Sequence, residues 1–350
     1  MEDELLIAAY KEIVFELCEA KILTDYGVPG LNSFKVITER LGTIHHNIDY
    51  KSKEKIIVIK SIDGTEVLPS LFSDYERFSD PSRLTAYSAK EFIIEITNSG
   101  SYLLHNSIPT VTSLNNQAIV YQWEPNDEAF VGKSFIKNLT RLPGTYSYFA
   151  IKTFKTLDDA LEFYKINYAL NASCEKLSES FESPSRIYFA PSPEEILRDS
   201  LHKFLKARIR ENVAVEREQN MDASHPVDIK VTWNYTSHMA IIEVKWLGSS
   251  YDSSKNTFVN HSQIRANKGA KQLAEYLEMI NTSVTNKITR GYLVVFDIRR
   301  KKAHPYKASI SKSDGLNFEN IDIVYKPEYN IERTDFEKPH RFFIKPYSLY

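Results

Sequence analysis

The sequence predicts a mixed α/β protein in two domains: an α+β domain over residues 1–183 and an α-β-β-β-α-β unit over residues 184–350. Three observations carry this expectation. The chain has 350 residues, more than one domain usually holds. Hydrophobic residues make up 42% and charged residues 26%, enough apolar surface to bury a core in each domain. Ser183-Pro184-Ser185 and Pro191-Ser192-Pro193 bracket a boundary, because residues ahead of proline resist helix.

The first domain opens with an amphipathic helix over residues 2–22. Leu5, Ala8, Ala9, Ile13, Leu17 and Ala20 recur at helical spacing until Asp25 to Gly30 breaks the pattern. Strand-like runs follow at Lys55–Lys60, Glu91–Thr97, Gln117–Trp123 and Ser147–Thr153. Thr156–Asn171 is a second helix, with Leu157, Leu161, Tyr164 and Tyr168 on one side. None of this names a chemistry.

After Pro193 the order is more specific. Pro193–Arg210 is a helix with Leu197, Leu201, Phe204, Leu205 and Ile209 as its buried stripe. Val213–Glu218, Val227–Trp233 and Met239–Trp246 are strands, the last two joined by Asn234–His238. Ala270–Asn281 is a helix on Leu273, Leu277 and Ile280, and Gly291–Phe296 is an apolar strand of the kind buried on both faces. A sheet flanked by helices buries all of these faces. Residues 307–350, with Pro327, Pro339 and Pro346, read as short edge strands and loops.

The hairpin carries the chemistry. Side chains alternate between the faces of a strand. Val227, Ile229, Val231 and Trp233 form one apolar face, matched by Ala240, Ile242, Val244 and Trp246. Ile241, Glu243, Lys245 and Leu247 point away from it, as do Asp228, Lys230 and Thr232. A loop centred on Tyr235-Thr236 sets Trp233 opposite His238 and Asp228 opposite Glu243. That register keeps both apolar faces together, which a slip of one residue would ruin. Opposed side chains lie about 5 Å apart at Cβ, and two carboxylates that close repel unless a cation lies between them. Carboxylates and a backbone carbonyl suit Mg²⁺ or Mn²⁺. Metal-assisted hydrolysis of a phosphodiester uses all three residues. The plainer alternative is a cross-strand ion pair between Asp228 and Lys245, contributing roughly 0–1 kcal/mol.

Pro226-Val227-Asp228, then fourteen residues, then Glu243-Val244-Lys245, resembles the signature of the PD-(D/E)XK nucleases. The flanking order of elements, over roughly Ser192 to Lys302, is similar to that superfamily's restriction-endonuclease-like core. The resemblance implies that Asp228, Glu243 and the Val244 carbonyl hold Mg²⁺, with Mn²⁺ as a substitute, and that Lys245 serves the attacking water and the scissile phosphate. It also implies a glutamate from the first helix. Glu194 shares the stripe of Leu197 and Leu201, whereas Glu195 follows Ser192 at capping-box spacing, so Glu194 is favoured for the site and Glu195 for capping. A glutamine on the later helix is implied too, matched loosely by Gln272 and more weakly by Gln263. By analogy of architecture the chain resembles bacterial restriction and antiphage defence effectors. These act on DNA, often as homodimers beside a separate ATPase or helicase, with an N-terminal domain for recognition or regulation. RNA cleavage at the same site stays open, as does a non-catalytic nucleic-acid or protein-binding module on the same fold.

Charge adds a weaker pointer. From Arg186 to Tyr350 there are 26 Lys+Arg against 20 Asp+Glu, a net +6, which leaves −8 for the remainder. A basic half is suited to nucleic acid. Lys203, Lys206, Arg208, Arg210, Arg265, Lys268, Lys271 and the run Arg299-Arg300-Lys301-Lys302 are candidate phosphate contacts, or simply solvated faces.

Other chemistries lack their residues. Cys18 and Cys174 form no CxxC pair, and neither His45-His46 nor any other histidine pair makes HExxH. No P-loop, GxSxG or GxGxxG occurs. The start is acidic, unlike a secretory signal, and no apolar run nears the ~18 residues that span a bilayer. A soluble cytoplasmic protein is expected.

Overall fold

The computed structural model describes residues 2–141, 145–209, 213–220, 226–283, 287–303 and 309–347. The chain is mixed α/β, with two mixed sheets, and forms two compact units that divide at Lys152/Thr153.

In the first unit helix α1 (Glu2–His45) runs past the expected end at residue 22. Gly27, at φ 66° and ψ −163°, and Pro29 turn the expected break into a kink between two helical stretches. The sheet contains β1 (Lys55–Ser61), β2 (Glu76–Phe78), β3 (Glu91–Ile96), β4 (Tyr102–His105), β5 (Ala118–Glu124), β6 (Asp127–Val131) and β7 (Ile136–Asn138), in the order β2-β4-β3-β1-β5-β6-β7. Ser147–Thr153, expected as a strand, is irregular. Its Ser147 hydroxyl and Tyr148 N–H both donate to buried Glu128, at 2.9 Å each. Solvating that carboxylate withdraws the Tyr148 N–H from any ladder.

The second unit begins with α2 (Phe154–Tyr164), which passes into a π-turn at Lys165–Ala169 in place of the expected helix to Asn171. Phe154, Leu157, Leu161 and Tyr164 lie in the same core as Leu197, Leu201 and Leu205 of α3 (Glu194–Arg208). That shared burial is why the division falls ahead of the expected boundary at 183/184. The strands are β8 (Val213–Asn220), β9 (Pro226–Trp233), β10 (His238–Asp252), β11 (Thr257–His261), β12 (Ile288–Asp297) and β13 (His340–Phe343). The sheet order is β13-β12-β10-β9-β8, with β11 paired to β10. β10 and β12 run parallel, as do β12 and β13, while β9 and β8 are antiparallel. Every residue of β12 is buried.

Helices cover both faces of this sheet. α2 and α3 pack on Ile229, Val231, Trp233, Ala240, Ile242 and Val244. α4 (Gln263–Ser283) lays Leu273, Leu277 and Ile280 against Met239, Ile241, Leu293 and Val295 on the other. Each such side chain contributes roughly 1.5–3 kcal/mol through burial. Among the described residues no helix is long and apolar enough to cross a membrane.

At Gly248 β10 passes from its ladder with β12, which ends at Leu247↔Asp297, to its ladder with β11, which starts at Gly248↔His261. Gly248 has φ +114°, and an added Cβ would come within 2.8 Å of the Ile298 backbone. Gly248→Ala should therefore cost about 3 kcal/mol or more. Urea unfolding followed by tryptophan fluorescence measures this, and a loss under about 1 kcal/mol would show that the strand junction yields.

Candidate active site

Strand pairing decides which side chains meet. β9 and β10 pair as Met239↔Thr232, Ala240↔Val231, Ile241↔Lys230 and Ile242↔Ile229. This is the expected register, and its next step sets Asp228 against Glu243. The backbone ladder ends before that step. The Val244 N–H donates to the Asp228 carboxylate (Oδ2, 2.8 Å) instead of to β9 backbone. Val227, which the sequence placed on the face of Ile229, packs with Met239, Ile241 and Leu247 on the other side. Beyond Ile229 no ladder with β10 fixes which way β9 faces.

Around this opening, among the described residues, three carboxyl groups meet three basic side chains. Lys245 Nζ donates to Glu243 Oε1 at 2.5 Å and to Glu194 Oε1 at 3.2 Å. Arg198, one turn after Glu194 on α3, donates from Nη1 to Asp228 Oδ1 at 2.9 Å. Arg265, in the first turn of α4, donates to Glu194 Oε2. Arg265 also lies 5.5 Å from the Trp246 ring centre and donates to His261 Nε2 at 3.4 Å. Asp228 thus takes Arg198 as its hydrogen-bonded cation and Lys245 takes Glu243 and Glu194, so the simple Asp228–Lys245 pair is not what forms.

Glu194, Asp228, Glu243 and Lys245 are therefore brought together. Glu195 is exposed, but the capping box expected for it is absent. Pro193 occupies the N-cap with no side-chain hydrogen bond to the helix end, because Ser192 lies one position too early. Gln272 is on α4 and donates to the Tyr276 hydroxyl at 2.5 Å, and Tyr276 feels the charges of Glu243 and Asp228. Gln263 is exposed at the start of α4. Gly269, between Arg265 and Gln272, lets α4 lie close: a Cβ there would meet Lys245 Cγ at 2.6 Å.

The basic candidates divide. Lys203, Lys206, Arg208, Lys268, Lys271, Lys301 and Lys302 are exposed. Arg299 is bound to Asp297, and Arg300 is buried against the Ile344 carbonyl, so these two are structural and neither free for phosphate nor a solvated face. Arg210 lies outside the described residues. Arg198 was missed by sequence reasoning. Its signal was available, since it follows Glu194 by four residues and so shares the sheet-facing side of α3.

Burial sets the electrostatics. Desolvation first, and the charge of Asp228 second, push the Glu243 carboxyl up to about 8 against the pull of Lys245. Desolvation also raises Asp228, although the Val244 N–H, Lys245 and Arg198 oppose it. For Lys245 desolvation works downward, but attraction to Glu243 and Glu194 wins and the ammonium is held above its ordinary value. Glu243 Oε2 is buried and has no hydrogen-bond partner among the described residues. As the side chains stand, no group of three or more His, Cys, Asp and Glu among the described residues is arranged to hold a metal ion. No family model, curated protein or solved structure matches the chain.

The raised Glu243 carboxyl makes stability depend on pH. Below about 4.5 it is protonated in both folded and unfolded chains. As pH rises through the window from 4.5 to about 8, the unfolded chain sheds its proton first, so stability is lost. Asp228, shifted the same way, adds to the loss. Across that window the difference in unfolding free energy should move by on the order of 4 kcal/mol in favour of Glu243→Gln over the native protein. Urea titrations of both proteins in EDTA measure it, and parallel pH profiles would contradict the assigned burial.

Proposed function

We propose that the C-terminal unit is a metal-dependent nuclease of the PD-(D/E)XK type that hydrolyses phosphodiester bonds of DNA. The reading is carried by one contrast within the molecule. Glu95, Glu128 and Glu243 are each 1% exposed. Glu128 is fully solvated by protein, taking Tyr121 Oη at 2.6 Å, Arg141 Nε at 2.8 Å and the Ser147 and Tyr148 donors. Glu95 accepts the Val67 and Leu68 N–H groups through both oxygens. Glu243 alone of the three keeps a buried oxygen without a donor, beside a second carboxylate of raised pKa. A buried, unpaired carboxylate oxygen is costly, and perturbed groups of this kind concentrate at functional sites.

That orphaned oxygen is the test of whether a divalent cation suits the site, and the donor set passes it. Asp228, Glu243 and the Val244 carbonyl would hold the ion. In extended backbone a residue's N–H and C=O face the same edge, so the Val244 carbonyl faces Asp228, as its N–H does. A bound Mg²⁺ supplies water acidified toward neutral pH and draws charge off a phosphate. Lys245, held charged by its carboxylates, would place its ammonium on the attacking water or the scissile phosphate. Glu194 orients that ammonium through its 3.2 Å contact. The order of elements around the opening, α3, β8, β9, β10, α4 and β12, supports a restriction-endonuclease-like core.

The test is cleavage of linear and circular duplex DNA, single-stranded DNA and RNA by purified protein with Mg²⁺, Mn²⁺ or EDTA. Mg²⁺-dependent cutting of DNA is expected, with Asp228→Ala and Lys245→Ala, each confirmed folded by circular dichroism, reduced at least ~10³-fold. Cutting that survives both substitutions, or that EDTA leaves intact, would remove the site from the reaction. Cutting of RNA alone would keep the chemistry and change the substrate.

A further inference from the structure

We propose that Arg198 and Arg265 are phosphate-binding residues of this site, held at rest on the carboxylates that a divalent cation needs, so that substrate and cation bind cooperatively. The inference rests on the nuclease reading above and concerns what the two guanidiniums do in it.

Both oxygens of Asp228 are engaged, Oδ1 by Arg198 at 2.9 Å and Oδ2 by the Val244 N–H at 2.8 Å. Both oxygens of Glu194 are engaged as well, by Lys245 and Arg265. Among the described residues three acids face three bases, and with the Glu243 carboxyl raised to about 8 these groups carry no net negative charge to attract a divalent ion. On Oδ1 the Arg198 guanidinium competes with such an ion for Asp228. The Arg198 and Asp228 side chains are 14% and 11% exposed, so a guanidinium that leaves Oδ1 there is poorly hydrated and favours an anion. A nucleic-acid phosphate is that anion, and it suits a planar fork of N–H donors better than it suits an ammonium. Arg265 is set for the same exchange. It rests on the face of Trp246, 30% exposed, with His261 beside it, so its guanidinium has a surface to slide on and an open side toward solvent. When both arginines move to phosphate, Glu194 and Asp228 regain their charge where the cation is needed. Coupling of this kind is reciprocal: what strengthens cation binding in the presence of DNA strengthens DNA binding in the presence of the cation.

Two measurements on the full chain test this. Mn²⁺ binding is followed by calorimetry without DNA, for the native protein, Arg198→Gln, Arg198→Lys and Asp228→Asn. Binding of a fluorescein-labelled DNA duplex is followed by anisotropy in EDTA over a series of salt concentrations, for the native protein, Arg198→Gln and Arg265→Gln. Arg198→Gln should bind Mn²⁺ about tenfold more tightly than the native protein, because the competing cation is gone. Arg198→Lys keeps a cation by Asp228 and should stay near the native affinity, which separates loss of charge from damage to the fold. Each glutamine variant should bind DNA about tenfold more weakly, with the slope of log K against log salt reduced by about 1. Unchanged or weaker Mn²⁺ binding by Arg198→Gln, or DNA binding and salt slope unaltered in both variants, would overturn the proposal. It would do so without touching the nuclease reading, provided that Asp228→Asn abolishes the native protein's Mn²⁺ binding. If no protein shows Mn²⁺ binding that depends on Asp228, with or without DNA, the nuclease reading falls and this proposal falls with it.

Discussion

The site depends on a sheet ladder that stops one residue early. β9 and β10 are paired through Ile229↔Ile242, and at the next position a side chain takes over from the backbone. The consequence is topological. Leu197, Leu201 and Leu205 of α3 lie on the Ile242 and Val244 face of the sheet, while α4 covers the face of Ile241 and Leu247, where strand alternation also puts Glu243 and Lys245. Glu194 and Arg198 nevertheless reach Lys245 and Asp228. A continuous ladder would close that route with paired backbone. Opening it costs one backbone hydrogen bond, and the Asp228 carboxylate restores it as a stronger, charge-assisted one.

Keeping such a cluster buried is a burden that the rest of the unit must carry. Buried ion pairs give back little beyond the desolvation they suffer, and Glu243 has one oxygen with no compensation among the described residues. The stabilisation comes from elsewhere, from β12, buried along its full length, and from apolar clusters on both sheet faces. Gly269 shows the same compromise within one residue. Glycine in a helix interior loses about 1 kcal/mol relative to alanine, yet a methyl group there would meet Lys245 Cγ at 2.6 Å. The helix gives up propensity so that it can approach the ammonium.

Sequence reasoning reads periodicity well and tertiary recruitment poorly. The β9–β10 register was legible because two apolar faces constrain it together, and any slip would expose four large side chains. Helix α3 was legible from its stripe. What stayed hidden was whatever another part of the chain decides. β11 carries Thr257, Asn260 and His261 and lacks a hydrophobic period, so its strand exists through pairing with β10. The stripe of α2 announces a helix but not which core receives it, which is why the boundary lay at 152/153 and not at 183/184. Ser147–Thr153 has strand-like residues, and a buried glutamate claimed its donors. At the site, Glu243 and Lys245 could be placed from alternation and Asp228 from the register opposite Glu243, although alternation failed at Val227, whereas the partner of Asp228 could not, because nothing local says which cation reaches across the opened ladder.

Arg198 and Arg265 also bear on how far the charge of the unit can act. The sequence from Arg186 onward carries a net +6, while the six described groups at the opening largely compensate one another. An exposed excess of positive charge attracts a polyanion over roughly a Debye length, about 8–10 Å at physiological salt. A compensated, largely buried cluster adds little field at that range and responds mainly to groups that enter it. Lys268 and Lys271 are exposed on α4, either side of Gly269, and so supply long-range attraction next to a centre that adds little. Under the proposed function, approach and commitment are then separate events. Approach depends on surface lysines and fades with salt, and commitment depends on two arginines exchanging carboxylate for phosphate. Salt should slow the first by screening the exposed charges and weaken the second through the counterions that each arginine–phosphate contact releases.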